Sequence, residues 1–189
     1  MKALMIDIET LSLSPTAAVT QIGFCAANVR TGEYLVQPTN LFLEATPHTN
    51  VDAETIYWWM RQSDAARAAV YPENVERISA ALAFYRLECA YKDLGGKEAG
   101  VTVWGSPAMF DLPILTHTFK LVRPDLRESK PWPYHMERDL MTLYKMLDPE
   151  KKLKPTNPVE HDAASDAKAQ MDHLIAIFQA NPQILEGAK

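Results

Sequence analysis

A chain of 189 residues, 47% hydrophobic and 23% charged, is long enough to bury a sizeable core and reads as one globular domain over residues 1–189. Nineteen Lys and Arg against 24 Asp and Glu leave a net charge of −5, which excludes a protein that holds nucleic acid through a basic global field; any nucleic acid must be gripped locally. No window approaches the length of a membrane span and Cys25 and Cys89 form no CxxC pair, so a cytoplasmic protein with reduced thiols is expected.

Lys2 to Ile8 reads as a strand, interrupted by Asp7 and Glu9 too soon for a signal peptide. Val19 to Asn28 is a second strand, Thr31-Gly32 a tight turn and Glu33 to Gln37 a third, giving an antiparallel meander. The period then becomes helical between Val51 and Leu94. Asp52 can cap a helix through Trp58, Trp59 and Met60. Pro72 can open a longer one with Val75, Ile78, Leu82, Tyr85 and Cys89 on one stripe, stopped by Gly95-Gly96. "GVTVWGS" (residues 100–106) is a short strand, and "FDLPILTHTFKLV" follows as a helix that tolerates Pro113 only in its first turn. "RDLMTLYKML" is a further helical segment, with Asp139 a candidate cap three residues before Thr142. "DPEKKLKPTNP" (148–158) reads as a polar linker, and "AASDAKAQMDHLIAIFQ" as a final helix with Met171, Leu174, Ile175 and Phe178 inward. Strands first, then alternating helix and strand, predict an α/β fold with a mixed sheet flanked by helices.

Four acids and one histidine stand out against this frame. Side chains alternate along a strand, so Met5, Asp7 and Glu9 share one face while Leu4, Ile6 and Ile8 share the other. Two carboxylates side by side at the edge of a core repel one another unless a cation lies between them, which points to a metal ion; the other reading ends the strand at Ile6 and leaves both acids solvated. Asp111 begins a helix at a strand's carboxyl end, where open α/β sheets place their sites, although a helix N-terminus also favours an ordinary acid there. His161 and Asp166 are five residues apart, roughly 140° around a helix. His161 should therefore precede the helix and fold over it while Asp166 points inward from the first turns; alternatively Asp162 is a cap and His161 lies on the surface.

Taken together, "DIET", "FDLPIL" and "HDAASD" resemble the three motifs of the DEDDh exonucleases: Asp-x-Glu, then Asp, then His with Asp five residues later. "WWMRQSDAAR" and "WPYHMERDLMTL" are similar to segments of that family's small phage, prophage and mycobacterial branch. The resemblance implies a ribonuclease H-like fold: an antiparallel meander plus parallel strands, flanked by helices. It implies 3′-to-5′ hydrolysis of single-stranded DNA or RNA to 5′-mononucleotides, in the cytoplasm of a bacterial or phage-infected cell. Asp7, Glu9, Asp111 and Asp166 would bind two divalent ions, Mg²⁺ or Mn²⁺, and His161 would be the general base. Those ions suit hard oxygen ligands; about 3.5 to 4 Å apart, they would serve attacking and leaving oxygens respectively.

A 3′ nucleotide also needs a stacking surface and phosphate donors. Thr10, Leu11, Trp58, Trp59, Phe110 and Arg138 are the substrate-binding candidates, with Trp104 a further stacking candidate and Lys151, Lys152 and Lys154 further donors. Core packing for the aromatics and a solvated linker for the lysines are the competing readings. The expected partners are single-stranded 3′ ends, with no membrane, and a homodimer is compatible with the sequence. Two rival functions stand beside this one: a non-catalytic nucleic-acid or partner-binding protein on the same fold, and, from the His161-Asp162 dipeptide, an HD phosphohydrolase, for which His48, His117, His135 and His173 form no supporting arrangement.

Overall fold

The computed structural model describes residues 1–125, 130–157 and 160–186. Strand β1 (Lys2–Thr10) runs two residues past its expected end, so Asp7 and Glu9 belong to the strand itself. It lies inside a six-stranded sheet of order β4-β3-β2-β1-β5-β6. β1 is antiparallel to β2 (Val19–Asn28), which is antiparallel to β3 (Glu33–Leu43). On its other side β1 is parallel to β5 (Thr102–Gly105), which is parallel to β6 (Glu137–Asp139); β4 (Arg77–Ile78) is parallel to β3. This is the mixed sheet expected from the element pattern. β3 is six residues longer than expected because Pro38 falls at a break in the ladder, where pairing passes from Phe24↔Thr39 to Ala26↔Val36 and no N–H is required of it.

The two faces of β1 bury different layers, as the period of two requires. Leu4, Ile6 and Ile8 pack into a core with Phe84, Leu87, Leu115 and Phe119, carried by α3 (Ala80–Asp93) and α4 (Ala108–Val122). Ala3 and Met5 face Cys25, Trp104, Met171 and Phe178, the last two on α6 (Ala163–Ala180). Cys25 is buried and Cys89 half-buried, and both are free thiols.

Between β3 and β5 the chain departs from the expected reading. α1 (Ala53–Met60) is capped by Asp52 as anticipated, and a separate α2 (Asp64–Val70) follows with Ser63 as its cap. No helix opens at Pro72. Ile78 is a strand residue paired beside Leu43, and α3 starts only after Ser79, whose hydroxyl caps it. The buried face is accordingly Ala80, Ala83, Phe84, Leu87 and Tyr91, while Leu82 and Tyr85 are exposed. Gly95 and Gly96, at φ 99° and 55°, end α3 as expected, their N–H groups bonding the Lys92 and Tyr91 carbonyls in a turn that favours glycine.

Pro113 lies in the second turn of α4, not the first. It and Met109, whose carbonyl it cannot bond, are both on the exposed face, where water can take that carbonyl. Arg138, expected within a helical segment, lies instead in β6, whose last residue, Asp139, caps α5 (Leu140–Leu147) as anticipated by accepting from the Thr142 N–H. A 3₁₀ turn (Tyr134–Met136) precedes β6, and α7 (Gln183–Glu186) closes the described chain. The segment after α5 is tethered: Asp148 is buried and accepts from the Lys152 and Leu153 N–H groups; Pro158 of the expected linker lies outside the described residues. No helix among the described residues is long and apolar enough to cross a membrane.

Candidate active site

β1 ends beside the start of α6, and one glycine permits the approach. Gly23, opposite Asp7 on β2, has no side chain between it and α6: a Cβ there would stand 1.9 Å from the Ala163 carbonyl carbon. Gln21 and Asn40 hold the same helix start. Both donate to Asp162 Oδ2, at 3.1 and 2.7 Å, while Asp162 Oδ1 caps the helix through the Ser165 N–H. His161 stands just before the helix at φ 63°, and its N–H donates to Asp166 Oδ2 at 2.9 Å across the first turn. Asp162 is thus a cap, and His161 precedes the helix with its ring toward Glu9 and Asp166, so the cap of one reading and the inward His161 of the other hold together, and His161 does not lie on the surface.

Ligand atoms of Glu9, His161 and Asp166 lie within 4.8 Å of one another. Asp7 is fixed by Gln170 of α6, whose amide donates to Oδ1 at 2.6 Å. Asp111, in the first turn of α4, accepts from the Ser106 N–H at 3.2 Å, and Gly105 gives it room, since a Cβ there would lie 2.9 Å from Asp111 Oδ2. Asp166 Oδ1 accepts from the Asn157 amide at 2.6 Å.

The electrostatics couple all four acids. Burial, then Asp111, Glu9 and Asp166, hold the Asp7 carboxyl well above the usual carboxylate range, against the Gln170 hydrogen bond. Burial and then the Asp166 and Asp111 charges push Glu9 up to about 8. Burial raises Asp111 to about 7 despite N–H bonds from Ser106 and Ile8, and burial raises Asp166 against the His161 N–H and Asn157. Among the described residues no Lys or Arg forms an ion pair with any of the four. Four clustered carboxylates, all oxygen donors and, among the described residues, without a Lys or Arg partner, fit hard divalent cations.

Beside Glu9 opens a mainly apolar pocket of about 370 Å³, lined by Ile8, Glu9, Thr10, Leu13, Trp58, Trp59 and Phe110 among others. The volume falls in the range of small-ligand sites. Trp59 is buried and donates its indole N–H to the Thr10 carbonyl at 2.9 Å; Trp58 is partly exposed and meets the His161 ring edge-on at 5.0 Å. Thr10, Trp58, Trp59 and Phe110 therefore line one pocket beside Glu9. Leu11 does not line this pocket; its backbone ties β1 to Ala18 and Asp52.

Besides Leu11, two more candidates fall elsewhere. Trp104 is a core residue, buried against Phe178 with its indole donating to Thr102 at 2.8 Å, because β5 carries it onto the α6 face. Arg138 turns its guanidinium onto the carbonyls of His135 and Glu137 at the end of the outer strand β6, outside this pocket. Conversely, Gly23, Gln21, Asn40, Asn157 and Gln170 had no place among the sequence candidates. A glycine inside the apolar strand "QIGFC" is a signal of close backbone approach, and Gln170 sits one helical turn after Asp166 on the same face. Gln21 and Asn40 act across chain crossings that leave no local pattern, and Asn157 acts from the loop nine residues before Asp166.

A family model described as the Rv2179c-like 3′-5′ exoribonuclease domain matches residues 2–178. No curated protein matches. Among solved structures, the chain is similar to E. coli exonuclease I in complex with a dT13 oligonucleotide, at TM-score 0.63 and 14% identity over 98% of this chain and 42% of that one. It is similar to the zinc-ion-bound form of the E. coli exonuclease I–ssDNA complex at TM-score 0.68, 13% identity and 98% against 42% coverage. Exonuclease I from Methylocaldum szegediense aligns at TM-score 0.65 and 14% identity, with 98% against 42% coverage. The chain thus spans less than half the length of these exonuclease I structures.

Proposed function

Because the chain belongs to the Rv2179c-like 3′-5′ exoribonuclease domain family, we propose that it is a 3′-to-5′ exonuclease, acting in the cytoplasm as a single unit over residues 1–189, that releases 5′-mononucleotides from single-stranded RNA or DNA. The observation that carries this is the convergence of Asp7, Glu9, Asp111 and Asp166 with His161 beside an apolar pocket of about 370 Å³. The exonuclease I structures solved with single-stranded oligonucleotide support the same substrate class.

The four carboxylates would hold two divalent cations, Mg²⁺ or Mn²⁺. When bound, these would supply a water nucleophile of lowered pKa and charge neutralisation at the scissile phosphate and its leaving oxygen. The chain's own residues do the rest. Gln170 and the Ser106 N–H orient Asp7 and Asp111, so little rearrangement is needed at the moment of reaction. His161, packed edge-on against the contacting pair Trp58 and Trp59, takes the proton of the attacking water as general base. The 3′-terminal nucleoside fills the apolar pocket, its base against Trp58 and Phe110 and its sugar beside Thr10 and Glu9, which excludes water and sets the terminal phosphodiester over the acids.

The test is product analysis. A 5′-labelled decamer of uridine and one of thymidine should shorten stepwise from the 3′ end with Mg²⁺ or Mn²⁺, release 5′-mononucleotides and persist in EDTA. Cuts in a circular single strand would overturn the exonuclease reading, and metal-independent turnover would overturn the role of the acids.

A further inference from the structure

Behind Ser106 and Gln170, which bond Asp111 and Asp7, lies a second, smaller pocket of about 200 Å³, lined in part by Ser106, Tyr144, Lys151, Lys154, Gln170 and His173. Its wall is continuous with the acid cluster: Ser106 donates to Asp111 and Gln170 to Asp7. Its volume is below the usual range for a nucleoside-sized ligand but ample for a phosphate. Two lysines overlook it, and the segment that carries them is anchored. Asp148 at its root meets His173 at 2.8 Å, both side chains buried, and Asn157 at its far end holds Asp166. Lys151 sits in a turn at φ 52° with its ammonium 5.0 Å from the Tyr144 ring centroid.

The third lysine of the segment provides a contrast. Lys152 does not line the pocket and pairs with Glu150 at 2.7 Å, whereas among the described residues neither Lys151 nor Lys154 forms an ion pair. We propose that this pocket is the subsite for the phosphodiester immediately 5′ of the scissile one, with Lys151 and Lys154 as its cationic contacts. This rests on the exonuclease reading, in which the terminal nucleoside occupies the apolar pocket and the rest of the strand runs on past the acids, toward Ser106 and Gln170. The chain's net charge of −5 makes such a local grip necessary, because the global field repels a polyanion.

The experiment compares the wild-type chain with K151A/K154A and K151R/K154R, using a uridine decamer and uridine 5′-(p-nitrophenyl phosphate), which has no upstream phosphate. The alanine pair should raise KM for the decamer on the order of tenfold and flatten the salt dependence of its binding by about 1.4 logarithmic units per decade, about 0.7 for each lost contact. Its kcat and KM for the small ester should stay at the wild-type values, and the arginine pair should restore decamer KM. Equal losses on both substrates, or an unchanged salt slope, would overturn the subsite. Binding of a labelled decamer in Ca²⁺ separates the two readings: lysine-dependent binding by a chain that releases no mononucleotide would sink the activity and support the subsite.

Discussion

Replacing Glu9 by Gln keeps its shape and removes its charge, and in metal-free protein that change should stabilise the fold. Glu9 titrates near 8 in the folded chain against an ordinary 4.5, because burial and the neighbouring acids disfavour its charged form. A carboxyl whose folded pKa is raised contributes stability that is complete below pH 4.5 and lost as the pH rises through 8. The rise of about 3.5 pH units, at about 1.4 kcal/mol each, caps the effect at roughly 5 kcal/mol, the same repulsion being shared with Asp7, Asp111 and Asp166. For a chain of this length that corresponds to a melting shift on the order of 10 °C. Scanning calorimetry in EDTA should find wild type and E9Q melting within a few degrees at pH 5 and the variant clearly higher at pH 8.5. Mg²⁺ or Mn²⁺ should then raise the wild type more than E9Q. A variant that melts at or below wild type at pH 8.5 would mean that the acids are not an uncompensated cluster, and the metal argument would fall with it.

Three further outcomes follow from the same geometry. H161A should turn over the decamer about 10² to 10⁴ times more slowly than wild type but measurably, since it removes a general base and leaves the carboxylates in place; D111A and D166A should fall to background in the same assay. G23A should lower the melting temperature and the activity together, because its new methyl must push the Ala163 backbone away, an overpacking that costs at least about 1–3 kcal/mol. A G23A chain of unchanged stability and rate would show that the approach of α6 to β2 is not needed.

The grouping of the four acids with His161 was legible through the joint resemblance of "DIET", "FDLPIL" and "HDAASD" to one family's motifs, and local periods agreed with it. Alternation along β1 put Asp7 and Glu9 on one face, and the angular offset of His161 and Asp166 placed one before and one within α6. β4 and β6 were not legible, because two- and three-residue strands have no period to detect and exist only through β3 and β5. Ile78 illustrates the cost: read as a helix position, it extended α3 back to Pro72 and displaced the buried stripe from Phe84 and Leu87 to Leu82 and Tyr85. For Trp104 the sequence left stacking and core packing both open, since a period of two says which residues share a face but not which face meets α6, and the structure selects core packing.

Gly23 sets a dimension as well as permitting a contact. At the acid-bearing end of the sheet the main chains of Gly23 and Ala163 meet with no side chain between them, so the height at which the helix that carries Asp166 rides over the sheet beside Asp7 is set by bare backbone. Backbone thickness cannot be altered by exchanging one amino acid for another elsewhere. The apolar layers above and below the sheet are therefore free to drift, Leu for Met or Ile for Val, without changing the gauge on which the acids are mounted. A designer wishing to widen the seat for a larger ion would have to begin at position 23 itself, and would have to relocate a helix to do it.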